Sequence, residues 1–388
     1  MDFTSFREEM PVTGNVTYLN HASVGPIPTS TYKAWTKLAD EMHQWGGVKT
    51  DMDPIVAGFP ETRQAIAQLI NGSPEEIALA MSTSQGISTI LSGLDWSEDK
   101  RGLLINSLEY NSNSFAYQQI SKRHDAPLLV IPHKTTLDGT QILPTELFGQ
   151  YLEEHEVRVV GVSHVQFTNG FRSDLKALAH LCHKNDALLL VDGIQSVGAM
   201  QLDVKEMQVD FLCAGGYKWM LGPFASGFMF VREALLGQVE PYFVGSLADE
   251  NPYDFQHHPF SPHQNALKFQ GAHLPANLAL AESVKLFLEL GPKNIEQRVL
   301  SLSDHLVEVI KAEIPQAVIQ SDRSEDHRSP IVRVTIPEVS LEGVVSKLKE
   351  EHNIIVSLRT GGIRISPHCY NTTEELDGLV KAIAGIIA

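Results

Sequence analysis

Lys218 stands between Tyr217 and Trp219, behind Gly215 and Gly216 and ahead of Gly222, in a run that holds no other cation. A lysine set among glycines, aromatics and apolar residues is desolvated. Its proton affinity falls, and the free amine becomes a nucleophile able to form a Schiff base with a carbonyl. Taken alone, a loop lysine more often snorkels to solvent. Twenty-six residues upstream, Asp192 directly follows the apolar run 187–191. A carboxylate there sits at the strand edge where ligands bind, although a lone Asp more often caps a helix or a turn. The pair is more specific than either part, and it suits pyridoxal phosphate. The carboxylate keeps the ring nitrogen protonated, so that the ring accepts electrons, while the lysine holds the aldehyde and shuttles protons. Gln195, three residues after Asp192, is spaced to donate to the ring's phenolic oxygen.

Residues 81–88 place Ser82, Thr83, Ser84 and Gly86 ahead of a helix-like run. Free N–H groups at a helix start, with hydroxyls beside them, form a phosphate cradle. The same pattern is a common helix cap. Neither GxxxxGK[ST] nor a strand-linked GxGxxG occurs in the chain, so the usual nucleotide loops are absent.

These residues need a scaffold, and the periodicity supplies one. Short β-branched or leucine-rich runs at 103–105, 128–131, 157–162 and 187–191 end in Asn, Ser, Pro or Asp. They read as strands buried on both faces of a mostly parallel sheet. Helix candidates such as 173–185 lie between them, which implies an α/β layer with right-handed crossovers and ligands beyond the carboxyl ends of the strands. Residues 251–275, rich in Pro, His and Asn, read as a long irregular connection. An apolar helix over 274–290 stops at Gly291 and Pro292. A second αβ unit follows, with helices at 294–313, 341–352 and 373–387, and strands at 331–336 and 354–358. The expected division is an N-terminal segment (1–25) that contributes to the site and the small domain, a large domain (26–255), a connection with an interdomain helix (256–290) and a small C-terminal domain (291–388).

The 388 residues carry a net charge of −17, with 43% hydrophobic and 20% charged residues. That mix builds a large core and excludes disordered or low-complexity classes. The acidic balance argues against nucleic-acid binding, and no apolar run is long enough to span a bilayer. Cys182, Cys213 and Cys369 are too few and too scattered for a disulfide framework or a CxxC metal site; they fit a reducing compartment. With no apolar stretch near Met1, a cytoplasmic location is expected.

On these motifs, from residues 18–26 to residues 370–377, the chain resembles the class V aminotransferase branch of fold-type-I pyridoxal-phosphate enzymes. That branch includes cysteine desulfurases, isopenicillin N epimerase-like proteins and kynureninases. The resemblance implies an α/β fold-type-I structure, with a seven-stranded-type sheet in the large domain and a small C-terminal αβ domain. It makes Lys218 the lysine that carries the cofactor, Asp192 the partner of the ring nitrogen and Gln195 the phenolate contact. Thr83 and Ser84 would hold the phosphate. Tyr217 stands where desulfurases have His, and matches a kynureninase-like Tyr that helps bind phosphate. Tyr110 replaces the His that desulfurases stack on the ring, and Gln166 and Phe167 occupy the stretch of their ring-contacting Asn. His273 would reach the phosphate in the neighbouring subunit of a homodimer with active sites at the interface.

Arg359 and Arg364 are five residues apart near the end of the chain. A guanidinium fork matches a carboxylate bidentately. The resemblance makes Arg364 the anchor for an amino acid's α-carboxylate and Arg359 its auxiliary. His21 is a further candidate for the substrate pocket, with Ser23 and His368 beside it; each reads equally well as structural. Desulfurases of the similar type insert a loop bearing a sulfur-accepting Cys between the two arginines. Only Thr360, Gly361, Gly362 and Ile363 lie there in this chain, which speaks against persulfide chemistry. The expected activity is aminotransferase-like, with epimerase/racemase or Cβ-lyase chemistry as alternatives. A non-catalytic protein on the same fold is the rival of another class.

Overall fold

The computed structural model describes the chain except residues 50, 52, 255, 257, 258 and 271–275, and the side chains of residues 54 and 56. Seven strands form the main sheet: β1 (Ile77–Leu79), β2 (Gly102–Asn106), β3 (Leu128–Ile131), β4 (Val157–Ser163), β5 (Leu188–Asp192), β6 (Phe211–Gly215) and β7 (Gly227–Val231). Their order across the sheet is β1-β7-β6-β5-β4-β2-β3. Only β7 runs against its neighbours; every other pairing is parallel.

Alternation along these strands feeds two cores. Leu104, Val160, Val162, Leu189, Val191 and Leu212 pack on one face. Leu103, Ile105, Val159, Leu190, Phe211 and Cys213 pack on the other. This is why the strands read as near-continuous apolar runs rather than as alternating patterns. The register aligns Ser163 with Asp192 and Asp192 with Cys213. The carboxyl ends of β4, β5 and β6 therefore meet along one edge, which is where an open α/β sheet takes its ligand.

The last hundred residues build a four-stranded sheet from β8 (Val318–Ile319), β9 (Val332–Thr335), β10 (Ser357–Arg359) and β11 (Gly362–Ile365), in the order β8-β9-β11-β10. The helices Pro292–Glu313, Leu341–His352 and Thr373–Ile387 cover it through a core that includes Leu306, Leu348, Leu376 and Ile383. The closing helix begins on a capping box: Thr372 accepts from the Glu375 N–H, and the Glu375 side chain answers to the Thr372 N–H.

The single strand expected over 354–358 is in fact two. Ile354 and Ile355 pair in parallel with Thr17 and Tyr18, and the chain then turns at Val356 to enter the four-stranded sheet at Ser357. Periodicity cannot register such a change of partner, because both pieces are equally apolar. Residues 17–20 are thereby tied to the C-terminal unit, with Asn20 bridged to Ser366. Part of the irregular 251–275 connection lies outside the described residues; the rest holds a bridge from Asp249 to Pro262 and a short 3-10 turn, Ala266–Phe269. Among the described residues, no helix is long and apolar enough to cross a membrane.

Candidate active site

Asp192 ends β5, and its buried carboxylate accepts from the Ile194 N–H at 2.9 Å. Three residues past β6, Lys218 is 9% exposed. Both line one cavity, together with Thr83, Ser84, Tyr110, Ser163, Phe167, Gln195 and Tyr217. No direct ion pair within 4.0 Å joins Lys218 to Asp192. They face each other as charges across a space.

Burial dominates the electrostatics of this pair. It lifts the Asp192 carboxyl to about 7, against the Ile194 hydrogen bond and with help from the charge of Glu109. It presses the Lys218 amine down to about 8, with Asp192 pulling it up and Arg364 and Arg359 pushing it down. An amine of that basicity exists in part as free base near neutral pH, which a surface lysine does not.

The walls are set by packing. The Lys218 Nζ lies 5.8 Å from the centre of the Tyr110 ring and 5.9 Å from that of Tyr217. Tyr110 meets Phe167 edge-on, and Tyr217 stacks on Phe224. Gln195 is clamped: its amide donates to the Ala22 carbonyl and accepts from the Trp219 indole, leaving one N–H for the cavity. Gly25 lies so close to the Lys218 carbonyl that a Cβ there would come to 2.1 Å of its oxygen. No other residue type fits at position 25.

Thr83 opens the helix Thr83–Gly93, capped by the Ser82 hydroxyl on the Gln85 N–H. The N–H groups of Thr83 and Ser84 occupy its first two positions and have no acceptor within the helix. The Thr83 hydroxyl accepts from the Gly215 N–H, which locks the helix start against the end of β6. The first residues of this helix, at the positive end of its dipole, thus line the cavity, an arrangement that suits an anion.

Arg364, on β11, is 1% exposed. Its Nη1 donates to the Phe167 carbonyl and its Nη2 to the Ser23 hydroxyl; its buried Nε has no partner. Among the described residues, no carboxylate forms an ion pair with it. Burial and Arg359 bring its guanidinium down to about 9, so it remains a cation at neutral pH. Arg359 is exposed and also reaches the Ser23 hydroxyl, at 3.4 Å. The hairpin that carries both arginines closes on Thr360 and Gly361, each at positive φ, the two-residue turn that suits strand twist. No cysteine lies in that hairpin, and all three thiols of the chain are buried.

Seven expected residues are therefore brought to one cavity: Thr83, Ser84, Tyr110, Asp192, Gln195, Tyr217 and Lys218. Arg364 reaches its wall through Phe167. His21 is placed elsewhere. Its Nδ1 bonds the Ser366 carbonyl, its Nε2 bonds the Tyr370 hydroxyl, and its ring packs among Trp219, His368 and Tyr370. Both of its nitrogens are thus engaged, and it is not among the residues that line the cavity. His368 is likewise engaged, on the Trp219 carbonyl and the Cys369 sulfur. His273 lies outside the described residues. Sequence reasoning missed Glu109, a buried carboxylate beside Asp192. Its one signal was adjacency to Tyr110.

The aminotransferase class-V family model matches residues 17–379. The chain belongs to the aminotransferase class-V family. Its relatives include a probable cysteine desulfurase of Pyrococcus abyssi, 24% identical across 98% of this chain and 96% of that protein. An uncharacterized aminotransferase, YcbU, of Bacillus subtilis is 27% identical over 98% and 96%. The isopenicillin N epimerase of Streptomyces clavuligerus is 25% identical over 98% of both chains. Among solved structures, a C-DES mutant with glycine covalently linked to its PLP cofactor superposes with a TM-score of 0.88, at 23% identity over 97% of this chain and 98% of that one. The fold of this class V member is thus the fold-type-I arrangement that the resemblance implied.

Proposed function

We propose that the chain is a pyridoxal-phosphate enzyme that transfers the amino group of an amino acid, with Lys218 as the residue that carries the cofactor. The observation that carries this reading is a buried guanidinium with no acid to pair it, Arg364, beside a buried amine of lowered basicity, Lys218. Leaving a buried cation unpaired is costly unless a ligand completes it. An α-carboxylate taken by Arg364 and Ser23 completes this one, and it brings the substrate's amino group toward Lys218.

When bound, pyridoxal phosphate supplies an aldehyde that condenses with amines and a protonated ring that draws in electrons from an adjacent C–H bond. The residues present fit it. The helix start at Thr83 and Ser84 suits its phosphate, Asp192 its ring nitrogen, and the free N–H of Gln195 its phenolic oxygen. Tyr110 and Tyr217, whose rings flank the Lys218 Nζ, would hold its ring. The Lys218 Nζ removes the substrate's α-proton and delivers it elsewhere along the same face. Arg364 and Ser23 orient the carboxylate, so that the C–H bond being broken points at that amine.

Lys218 is the only amine or imidazole among the residues lining the cavity, and a single proton carrier suits a transfer from one atom to another on one face. The relatives named as desulfurases and as an epimerase define the competing outcomes. The test is turnover of an amino-acid panel by cofactor-loaded protein, reading keto-acid-dependent amino transfer, loss of chirality, and sulfide release side by side. Amino transfer supports the reading; racemised product or released sulfide without it overturns it.

A homodimer belongs to the same proposal. Met81, Gln85, Arg123, Tyr242 and Phe243 line an apolar groove along the helix that starts at the phosphate cradle, and Tyr242 is 73% exposed. A second copy is the occupant that would complete both groove and site. Sedimentation should return twice the monomer mass, and Tyr242→Glu should halve it. The three unpaired cysteines support a cytoplasmic location.

A further inference from the structure

Glu109 is 8% exposed, and among the described residues no cation contacts its carboxylate. Five neutral donors do. Its Oε1 accepts from the Asn106 side-chain amide, the Ser163 N–H at 2.8 Å and the Gln166 amide at 3.1 Å. Its Oε2 accepts from the Asn113 amide and the Ser163 hydroxyl, each at 2.6 Å. Four of the five are N–H groups, which only donate, and they cover both oxygens. That is the donor set of a carboxylate rather than of a carboxylic acid. The donors come from the end of β2, the start of the helix Asn111–His124, and the end of β4 with the loop after it.

Two consequences meet at this point. Glu109 ties the strand end before Tyr110 to the strand end before Phe167, the two rings that meet edge-on at the cavity wall. It also plants a fixed negative charge behind Asp192, whose register partner on β4 is Ser163, the residue that gives Glu109 two of its five bonds. A buried charge held by neutral dipoles has no counter-ion and is screened less by salt than a surface charge, so its field still reaches its neighbours.

We propose that Glu109 is a positioning residue of the site, holding the Tyr110–Phe167 wall and supplying the negative field that keeps protons on the cofactor and its Asp192 partner. The inference rests on the pyridoxal-phosphate reading above. The charge of Glu109 does act on Asp192 in the direction of proton retention. The other groups that act on this region are Lys218, Tyr117, Cys213 and Tyr217, with Arg364 and Arg359 opposing from the C-terminal hairpin. Of these, Glu109 alone is a second fixed anion.

The test is a pH titration of the cofactor's visible absorbance in loaded wild-type protein and in E109Q, which keeps the shape and removes the charge. The absorbance midpoint in E109Q is expected to fall by about half to one pH unit, while cofactor is still bound. S163A keeps the charge and strips one donor, so its midpoint is expected at or above that of the wild type. An unmoved midpoint in E109Q overturns the proposal. If E109Q does not fold, a fall in S163A overturns it by itself, because a purely structural role makes any loosening of this network act alike. A wild-type protein that takes up no pyridoxal phosphate refutes the underlying reading instead, and that outcome is visible before any variant is made.

Discussion

Arg364 and Ser23, 341 residues apart in sequence, are joined by a 2.5 Å hydrogen bond from the guanidinium to the hydroxyl. The same hydroxyl receives Arg359 at 3.4 Å. Two cations thus converge on one small neutral oxygen that cannot neutralise either. The strongest partner missing from the arrangement is an anion. Arg364→Lys keeps the charge but loses the planar fork. The expected result is a KM raised about 10–100-fold, the worth of one or two charge-assisted hydrogen bonds, with the cofactor absorbance unchanged. Equal KM in both proteins would place the carboxylate elsewhere.

Lys218→Ala is expected to retain the fold and lose covalent attachment. Borohydride treatment followed by mass spectrometry should leave the cofactor on the wild-type peptide containing residue 218 and not on the variant. Turnover should drop by at least about a hundredfold, the typical share of a positioned general base.

The buried pair also shapes stability in the cofactor-free protein. Asp192 titrates at about 7 in the fold against 3.8 in an open chain. Between these values the folded form binds the extra proton, and stability falls as pH rises. Lys218 titrates at about 8 in the fold against 10.5 in an open chain. There the unfolded form binds the extra proton, and stability rises with pH. A dip between about pH 7 and 8 is expected in the melting temperature of the cofactor-free protein. The double variant Asp192→Asn, Lys218→Met should flatten it, raising Tm by a few degrees in that window. A wild-type profile with no such dip would show that the two groups are not desolvated.

Gly25→Ala forces a methyl against the Lys218 carbonyl, at 2.1 Å from its oxygen. Overpacking of this kind costs about 1–3 kcal/mol. Chemical denaturation should show that loss, and the shift of the lysine should reduce turnover by more than the lost stability explains.

Cys182, Cys213 and Cys369 are all buried, and burial pushes each thiol up. None is a thiolate near neutral pH. Iodoacetamide applied to native, cofactor-loaded protein should leave turnover unchanged. Rapid inactivation with one modified cysteine would reopen sulfur chemistry.

Much of this was legible beforehand where chemistry and periodicity coincide. Asp192 and Lys218 announced themselves because each follows an apolar strand, and buried parallel strands are hard to mistake for anything else. The closing helix was legible from its cap, Thr372 with Glu375 three residues on. His21 was less legible, since a histidine near a pocket and one packed into an aromatic cluster look alike until its partners, Ser366 and Tyr370, are seen from the far end of the chain. Glu109 was barely legible: apart from its place next to Tyr110, nothing local distinguishes it from a solvated glutamate, and three of its five donor groups belong to Ser163 and Gln166, more than fifty residues away. The turn at Val356, which splits one apparent strand between two sheets, is likewise set by partners rather than by composition.

The parallel pairing of Thr17 and Tyr18 with Ile354 and Ile355 has a bearing on biosynthesis. The segment leading to Ser23 leaves the ribosome long before the hairpin it must join has been translated, a delay on the order of tens of seconds. Until then the main sheet can assemble and gather its lysine, but Ser23 has no guanidinium to meet. Arg364 is thus the last to be translated of the residues that meet at Ser23.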